Sequence, residues 1–393
     1  MPRTTDNSAP TPKAIVPTYP VVLQPFTRGK SKGRVLLSYL EQYLDLPVRA
    51  PQFLGHANFW ESRAIARIFQ KQGYQVEAIS WMDLSFAPDG KYDVVFDLFA
   101  NLARLSPLLE KDTVRLLRLT GSDPFYATAA ETRRVAEVNQ RRNGNCQPKR
   151  ALAGPEWKYA SLDAAHACTL IGNEHTRRTW PEKYWHKMDL VTVSGAEIGR
   201  QASVLRRRVP PKREFLWFFG AGAIHKGLDL LLEVFAAHPE LQLHVVGNVA
   251  AEEDFFELYR KELTATPNIH LHGYLHPSGP EFQMLLQDVF CFVAPSCSEG
   301  ISIAVATCLQ LGLFPIMTRD TGITLPQDCG LYIEELAAAE IETLVLAAMG
   351  MTDEEIIHQT RQTQEYALGE FSRGAYRRRM EACIVMALDR QGH

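Results

Sequence analysis

Two short loops carry the residue types that could do chemistry. Gly220-Ala-Gly-Ala-Ile-His-Lys226-Gly227 follows the apolar run 215–219, and Pro295-Ser-Cys-Ser-Glu299-Gly300 follows the apolar run 289–293. Small residues let a backbone approach a ligand closely, and Gly222 can take positive φ. A helix starting near Gly227 would turn its free N–H groups back on the loop, and Lys226 adds a mobile positive charge suited to a diphosphate. In the second loop a helix is expected from Ile301, with Ser298 as its N-cap. Glu299 has two readings there: first-turn carboxylate favoured by the helix dipole, or acceptor of hydrogen bonds from sugar hydroxyls. In the second reading the Gly300, Ile301 and Ser302 amides meet phosphate or sugar. A lysine, a glutamate and several glycines at neighbouring strand ends describe a site for a phosphorylated, hydroxyl-rich ligand, and a nucleotide sugar fits.

The elements that must position these loops alternate between strand and helix signals along the chain, the pattern of an α/β protein with parallel sheets. In the N-terminal half, strands are expected at 34–39, 75–79, 92–96, 114–119 and 166–171, the last being the final strand of that half. An amphipathic helix at 58–72 buries Ile65, Ile68 and Phe69. In the C-terminal half, strands are expected at 215–219, 241–246, 268–271, 289–293 and 314–317, and a helical tail at 352–390. The stretch 197–213, with Arg206-Arg-Arg208 and Pro210-Pro211, reads as a linker.

A chain of 393 residues exceeds what one core usually spans, so two domains are expected. The net charge of −3 argues against general nucleic-acid binding. No apolar run is long enough to span a membrane. The first residues are polar and proline-bearing without the apolar core of a secretory signal, so a disordered or draping arm is expected. Seven cysteines form no Cys-x-x-Cys pair, and reduced thiols in a cytosolic protein are the reading. Arg133, Arg134, Arg141, Arg142, Lys149 and Arg150 crowd one stretch. It is either a solvated face or a contact for an anionic acceptor or membrane surface. His270, His272 and His276 lie close in sequence without a carboxylate or cysteine to complete a metal site, so no metal is assigned.

The stretch 219–322 resembles the donor-binding domain of GT-B glycosyltransferases, in particular retaining, family-4-like (group 1) enzymes. The resemblance rests on Lys226-Gly-Leu-Asp-Leu-Leu-Leu-Glu233, Val245-Val-Gly247, His272-Gly273, Pro295-Ser296, Ser298-Glu-Gly300, Gly312 and Pro315-Ile316. In the N-terminal half, Gly55-His56-Ala-Asn58-Phe-Trp60-Glu61 occupies the place of a glycine-rich loop and glutamate.

The resemblance implies two Rossmann-like domains facing a central cleft. The arm is then 1–32, the acceptor domain 33–200 and the donor domain 201–365, with a final helix in 366–393 crossing back. The donor would be a nucleotide-diphosphate sugar and the acceptor a saccharide, lipid-linked or small molecule. No cofactor or metal would be required. Lys226, Glu299 and His56 are the catalytic candidates. Gly220, Gly222, Gly247, Ser298, Gly300, Ile301, Ser302 and Thr307 are expected to bind donor beside them.

His56, Asn58, Glu61 and Asp123 are the cleft candidates. Asn58 reads equally as a helix cap, and Asp123 as turn chemistry. The family usually has an arginine where this chain has Ala221 and a second glutamate where it has Thr307. An arginine–phosphate contact is worth about 1.5–3 kcal/mol. Arg118, Arg177 and Arg178, near expected strand ends, are candidates to replace it. The departures leave room for a non-catalytic binding or scaffold protein. A sugar-nucleotide epimerase is a third reading. A cytoplasmic protein, peripheral at an anionic membrane through Arg377-Arg-Arg379 and the 133–150 stretch, completes the expectation.

Overall fold

The computed structural model describes residues 20–27, 29–47, 50, 57–151, 156–195, 205 and 207–392. Most of the arm, the loop holding Gly55 and His56, and most of the linker lie outside the described residues. Strands fall into two sheets. The first has seven strands in the order β1-β3-β2-β4-β5-β6-β7: β1 (Val21–Leu23), β2 (Gly33–Tyr39), β3 (Tyr74–Ser80), β4 (Val94–Asp97), β5 (Val114–Leu119), β6 (Ala167–Ile171) and β7 (Met188–Val191). All pair in parallel except β1, which adds to the β3 edge antiparallel. The second sheet has six parallel strands in the order β10-β9-β8-β11-β12-β13. They are β8 (Glu214–Phe218), β9 (Leu243–Val246), β10 (Ile269–Gly273), β11 (Val289–Ala294), β12 (Phe314–Thr318) and β13 (Leu331–Ile333).

The central strands are continuous apolar runs because helices cover both sheet faces; β11 is buried at every position. Besides β1, which falls in the expected arm, two edge strands differ from the sequence reading. β7, not the strand at 167–171, closes the first sheet, and β13 closes the second. Both are short and half-buried, so neither carries the apolar run that betrays a central strand. Each sheet reverses its winding once: between β2 and β4, and between β8 and β11. Ligands of open α/β sheets bind outside the strand ends at such a reversal. The two loops singled out in sequence leave β8 and β11, so they flank the second reversal.

The halves are tied together. Arg134 and Arg141, on the Pro124–Arg142 helix, donate to one oxygen of Asp229 at 2.6 and 2.8 Å across the domain boundary. Arg134 and Asp229 are 1% and 0% exposed. Arg142 pairs with Glu262 and lies 4.4 Å from the Tyr259 ring centroid, and Lys149 meets Asp254 at 2.9 Å. The 133–150 stretch, read as a solvated face or an anion contact, instead spends most of its charge on the acidic side of the second domain. The final helix, Arg373–Arg390, packs on β5, β6, β7 and the Ala57–Lys71 helix of the first domain. Among the described residues no helix is long and apolar enough to cross a membrane.

Removing one partner of a buried ion pair leaves a charge stranded. Arg134→Met should therefore lower stability by about 3 kcal/mol or more in urea unfolding, and Asp229→Leu added to it should recover most of that loss. Wild-type stability in Arg134→Met would dismiss the pair as a structural tie.

Candidate active site between the two domains

Gly222 (φ +93°) and Gly227 (φ +69°) bend the loop after β8 back on itself. Its amides are largely satisfied within the protein, contrary to the expectation of free donors. Lys226 N donates to Gly222 O at 2.8 Å and Leu228 N to Ala223 O at 2.9 Å. Gly222 N and Ala223 N donate to the buried Glu252 carboxylate. Glu252, beyond β9, is a brace that sequence reasoning missed. Gly247 serves the backbone too: its N–H donates to Gly273 O at 2.9 Å, and a side chain there would strike Phe219.

The loop after β11 also differs. The helix is Ile303–Gln310, capped by Ser302, whose Oγ accepts from Val305 N, rather than a helix from Ile301 capped by Ser298. The reason is packing: Gly300 is pressed against Thr120, Gly121 and Ile171 of the first domain, so no side chain fits there. Glu299 thus sits in the loop, and its carbonyl accepts from Ser122 N and Oγ. Ser302 N is taken by Thr321 O at 3.0 Å. Ser298, buried, offers its carbonyl to His225 Nε2, and Cys297 N donates to His225 O, so His225 stitches the two loops together.

These loops bring Lys226 and Glu299 into an ion pair with side chains 5% and 10% exposed. Burial, then the nearby Arg150, pushes the Lys226 ammonium well below its usual range; the Glu299 carboxylate is the counter-charge such burial demands. The pair lines a cavity of about 550 Å³ between the domains. Gly220, Ala221, Ile301 and Ser302 line it from one side, and Tyr39, Asn58, Thr120 and Arg150 from the other. A smaller chamber of about 220 Å³ shares Thr120, Arg150 and Glu299 and adds Ser122, Lys158, His225, Ser298 and Gly300. Lys158, on the Glu156–Ala164 helix, donates to Leu98 O at 2.6 Å, and burial lowers its pKa to about 8.

Several expected residues are elsewhere. Glu61 is buried with Arg118 at 2.5 Å and accepts from Ser194 N at 2.9 Å, bracing the first domain rather than facing a ligand. That also withdraws Arg118 as a free cation; Arg177 pairs with Glu174 at 2.7 Å, and Arg178 does not line the cavity. Asp123 is an N-cap, accepting from Phe125 N and Tyr126 N and from the Tyr159 hydroxyl. Thr307 is buried and returns its hydroxyl to Ile303 O at 2.7 Å. Asn58 alone of the cleft candidates lines the cavity; His56 lies outside the described residues. Arg150 is the cavity residue that sequence reasoning flagged only as one charge in a basic stretch.

Residues 203–325 match the family model for glycosyl transferases group 1. The described chain has the GT-B fold, and residues 203–325 are similar to glycosyl transferases group 1. Sucrose-phosphate synthase from Thermosynechococcus elongatus superposes with a TM-score of 0.60 at 11% identity, covering 91% of this chain and 100% of that one. Anabaena HepE in complex with UDP and glucose gives 0.56 at 11% identity, covering 91% and 100%. WaaG, a glycosyltransferase involved in lipopolysaccharide biosynthesis, gives 0.53 at 13% identity, covering 90% and 99%. No curated protein sequence matches the chain. The two-domain GT-B architecture thus extends over about nine-tenths of the chain, while the family match covers the second sheet up to β12.

A histidine row on the far edge of that sheet is separate from the site. His244 bonds both Glu214, at 2.6 Å, and His272, at 2.9 Å, and stacks on His270 at 4.9 Å, whereas His276 turns to Ser278. A carboxylate does join the histidines, through β8. Even so, among the described residues no group of three or more His, Cys, Asp or Glu could hold a metal ion. Burial and the neighbouring His244 and His270 lower His272 from 6.5 to about 4. Between those values the unfolded chain binds more protons than the folded one, so stability is full above the window and falls as pH drops through it. His272→Gln should flatten that loss in thermal melts between pH 6.5 and 4; an unchanged slope would exclude His272 as its source.

Proposed function

We propose that this protein is a glycosyltransferase that moves a hexose from a nucleotide-diphosphate sugar to a saccharide, lipid-linked or small-molecule acceptor, with retention and with no metal or cofactor beyond the donor. The observation that carries the reading is the Lys226–Glu299 pair. It is set by two loops at the reversal of the second sheet, in a cavity walled by both domains. A diphosphate would draw the ammonium of Lys226 away from Glu299. The released carboxylate could then accept from sugar hydroxyls. Stabilising the leaving diphosphate by a fixed cation in a dry cleft is electrostatic catalysis of the usual kind. HepE, similar in fold, is described in complex with UDP-glucose.

The acceptor would enter from the first domain, along Tyr39, Asn58 and Trp81. A lipid-linked acceptor would bring the protein to an anionic membrane surface, and the exposed Arg377 and Arg378 of the final helix, with Arg133, are basic residues open to it. Seven free, buried cysteines support a cytoplasmic setting. One observation favours the non-catalytic reading: Thr307 is sealed in its helix and offers a donor nothing.

Calorimetry and saturation-transfer NMR with a nucleotide-sugar panel test the proposal. Wild type is expected to bind one donor below millimolar concentration, Lys226→Ala to lose about tenfold or more, and Glu299→Gln to abolish turnover. Absence of binding by any nucleotide or nucleotide sugar at millimolar concentration would end the donor reading. Binding without turnover in any acceptor mixture would decide for the scaffold.

A further inference from the structure

Charge balance at the cleft exposes a gap. Lys226 is already neutralised by Glu299, and both are nearly buried. The amides of Gly222 and Ala223, which could have helped an anion, are held by Glu252. A multiply charged diphosphate therefore needs another cation within the same cavity. Lys158 is turned into the smaller chamber and bound to Leu98 O. His225 is held well below its usual range by burial and by Lys226, and so is neutral.

Arg150 remains. It lines both chambers, opposite Lys226 and beside Ala221, whose methyl group leaves that wall open. Among the described residues its guanidinium has neither a hydrogen bond nor an ion pair, whereas Arg134, Arg141, Arg142 and Lys149 of the same stretch are all paired. Its backbone is pinned: Lys149 N and Arg150 N donate to the buried Glu131 carboxylate at 2.9–3.0 Å. Its stem crosses Gly222 so closely that a Cβ there would lie 2.7 Å from Arg150 Cδ.

We infer that Arg150, carried by the first domain, reaches across the cleft and binds the diphosphate of the nucleotide donor together with Lys226. A guanidinium presents a planar fork that matches phosphate oxygens in pairs. The segment that carries it is docked on the second domain by the ion pairs around Asp229 and Asp254. The inference rests on the donor reading above.

Titration calorimetry of the full chain with UDP, ADP and GDP tests it. Arg150→Ala should weaken the diphosphate that wild type binds by about tenfold or more, with an unchanged melting temperature, because the side chain is exposed and unpaired. Arg150→Lys should keep part of the affinity. Ala221→Arg in the Arg150→Ala background should restore much of it, since the new guanidinium would enter the same cavity from the facing wall. Wild-type affinity in Arg150→Ala overturns the inference and leaves the donor reading intact. A wild type that binds none of the three diphosphates takes down the donor reading and the inference with it.

Discussion

The structure depends on a buried cation from one domain meeting a buried anion from the other. Arg134 and Asp229 are both removed from water. Such a pair repays its desolvation only when its geometry is good and further hydrogen bonds complete it. Arg141 and Glu137 supply those bonds. Because Arg134 sits midway along the Pro124–Arg142 helix, fixing it fixes the helix and the segment after it. The segment in turn is tacked down by Lys149 on Asp254 and Gln147 N on the same carboxylate. The width of the cleft and the place of Arg150 both follow from this docking.

Within the cleft, negative charge is deployed to shape loops. Glu252 gathers the amides of one loop, and Glu131 gathers the amides that precede the linker to the Glu156–Ala164 helix. Both act as internal stand-ins for capping groups, and neither leaves a carboxylate facing the ligand space. Glu299 is the exception, and its partner is a lysine whose charged form burial disfavours. Opposed preferences of this kind, where each group tolerates burial only because of the other, are common where a site must release one partner to a ligand.

Much of this was legible in the sequence because local chemistry governs it. Apolar runs followed by small residues marked β8 and β11 with their loops, and Lys226 and Glu299 were found by their place in those loops. What escaped was set by distance. Ser298 and Ser302 are equal as caps on local grounds; the contact of Gly300 with Thr120 and Gly121 decides for Ser302. Glu61 and Asp123 looked like cleft acids, yet Arg118 and two backbone amides claim them. Edge strands β7 and β13 lack the apolar run of a central strand. Arg150 was visible only as one charge among six, since nothing near it in sequence says that four of its neighbours are claimed by acids of the other domain.

Gly222 joins these themes. Its positive φ is a requirement of its own loop, but the space above it is occupied by an arginine from the other domain. Two separate demands therefore fall on one missing side chain. A side chain at 222 would therefore strain its own loop and displace the arginine stem in the same stroke, so one substitution there disturbs both domains at once.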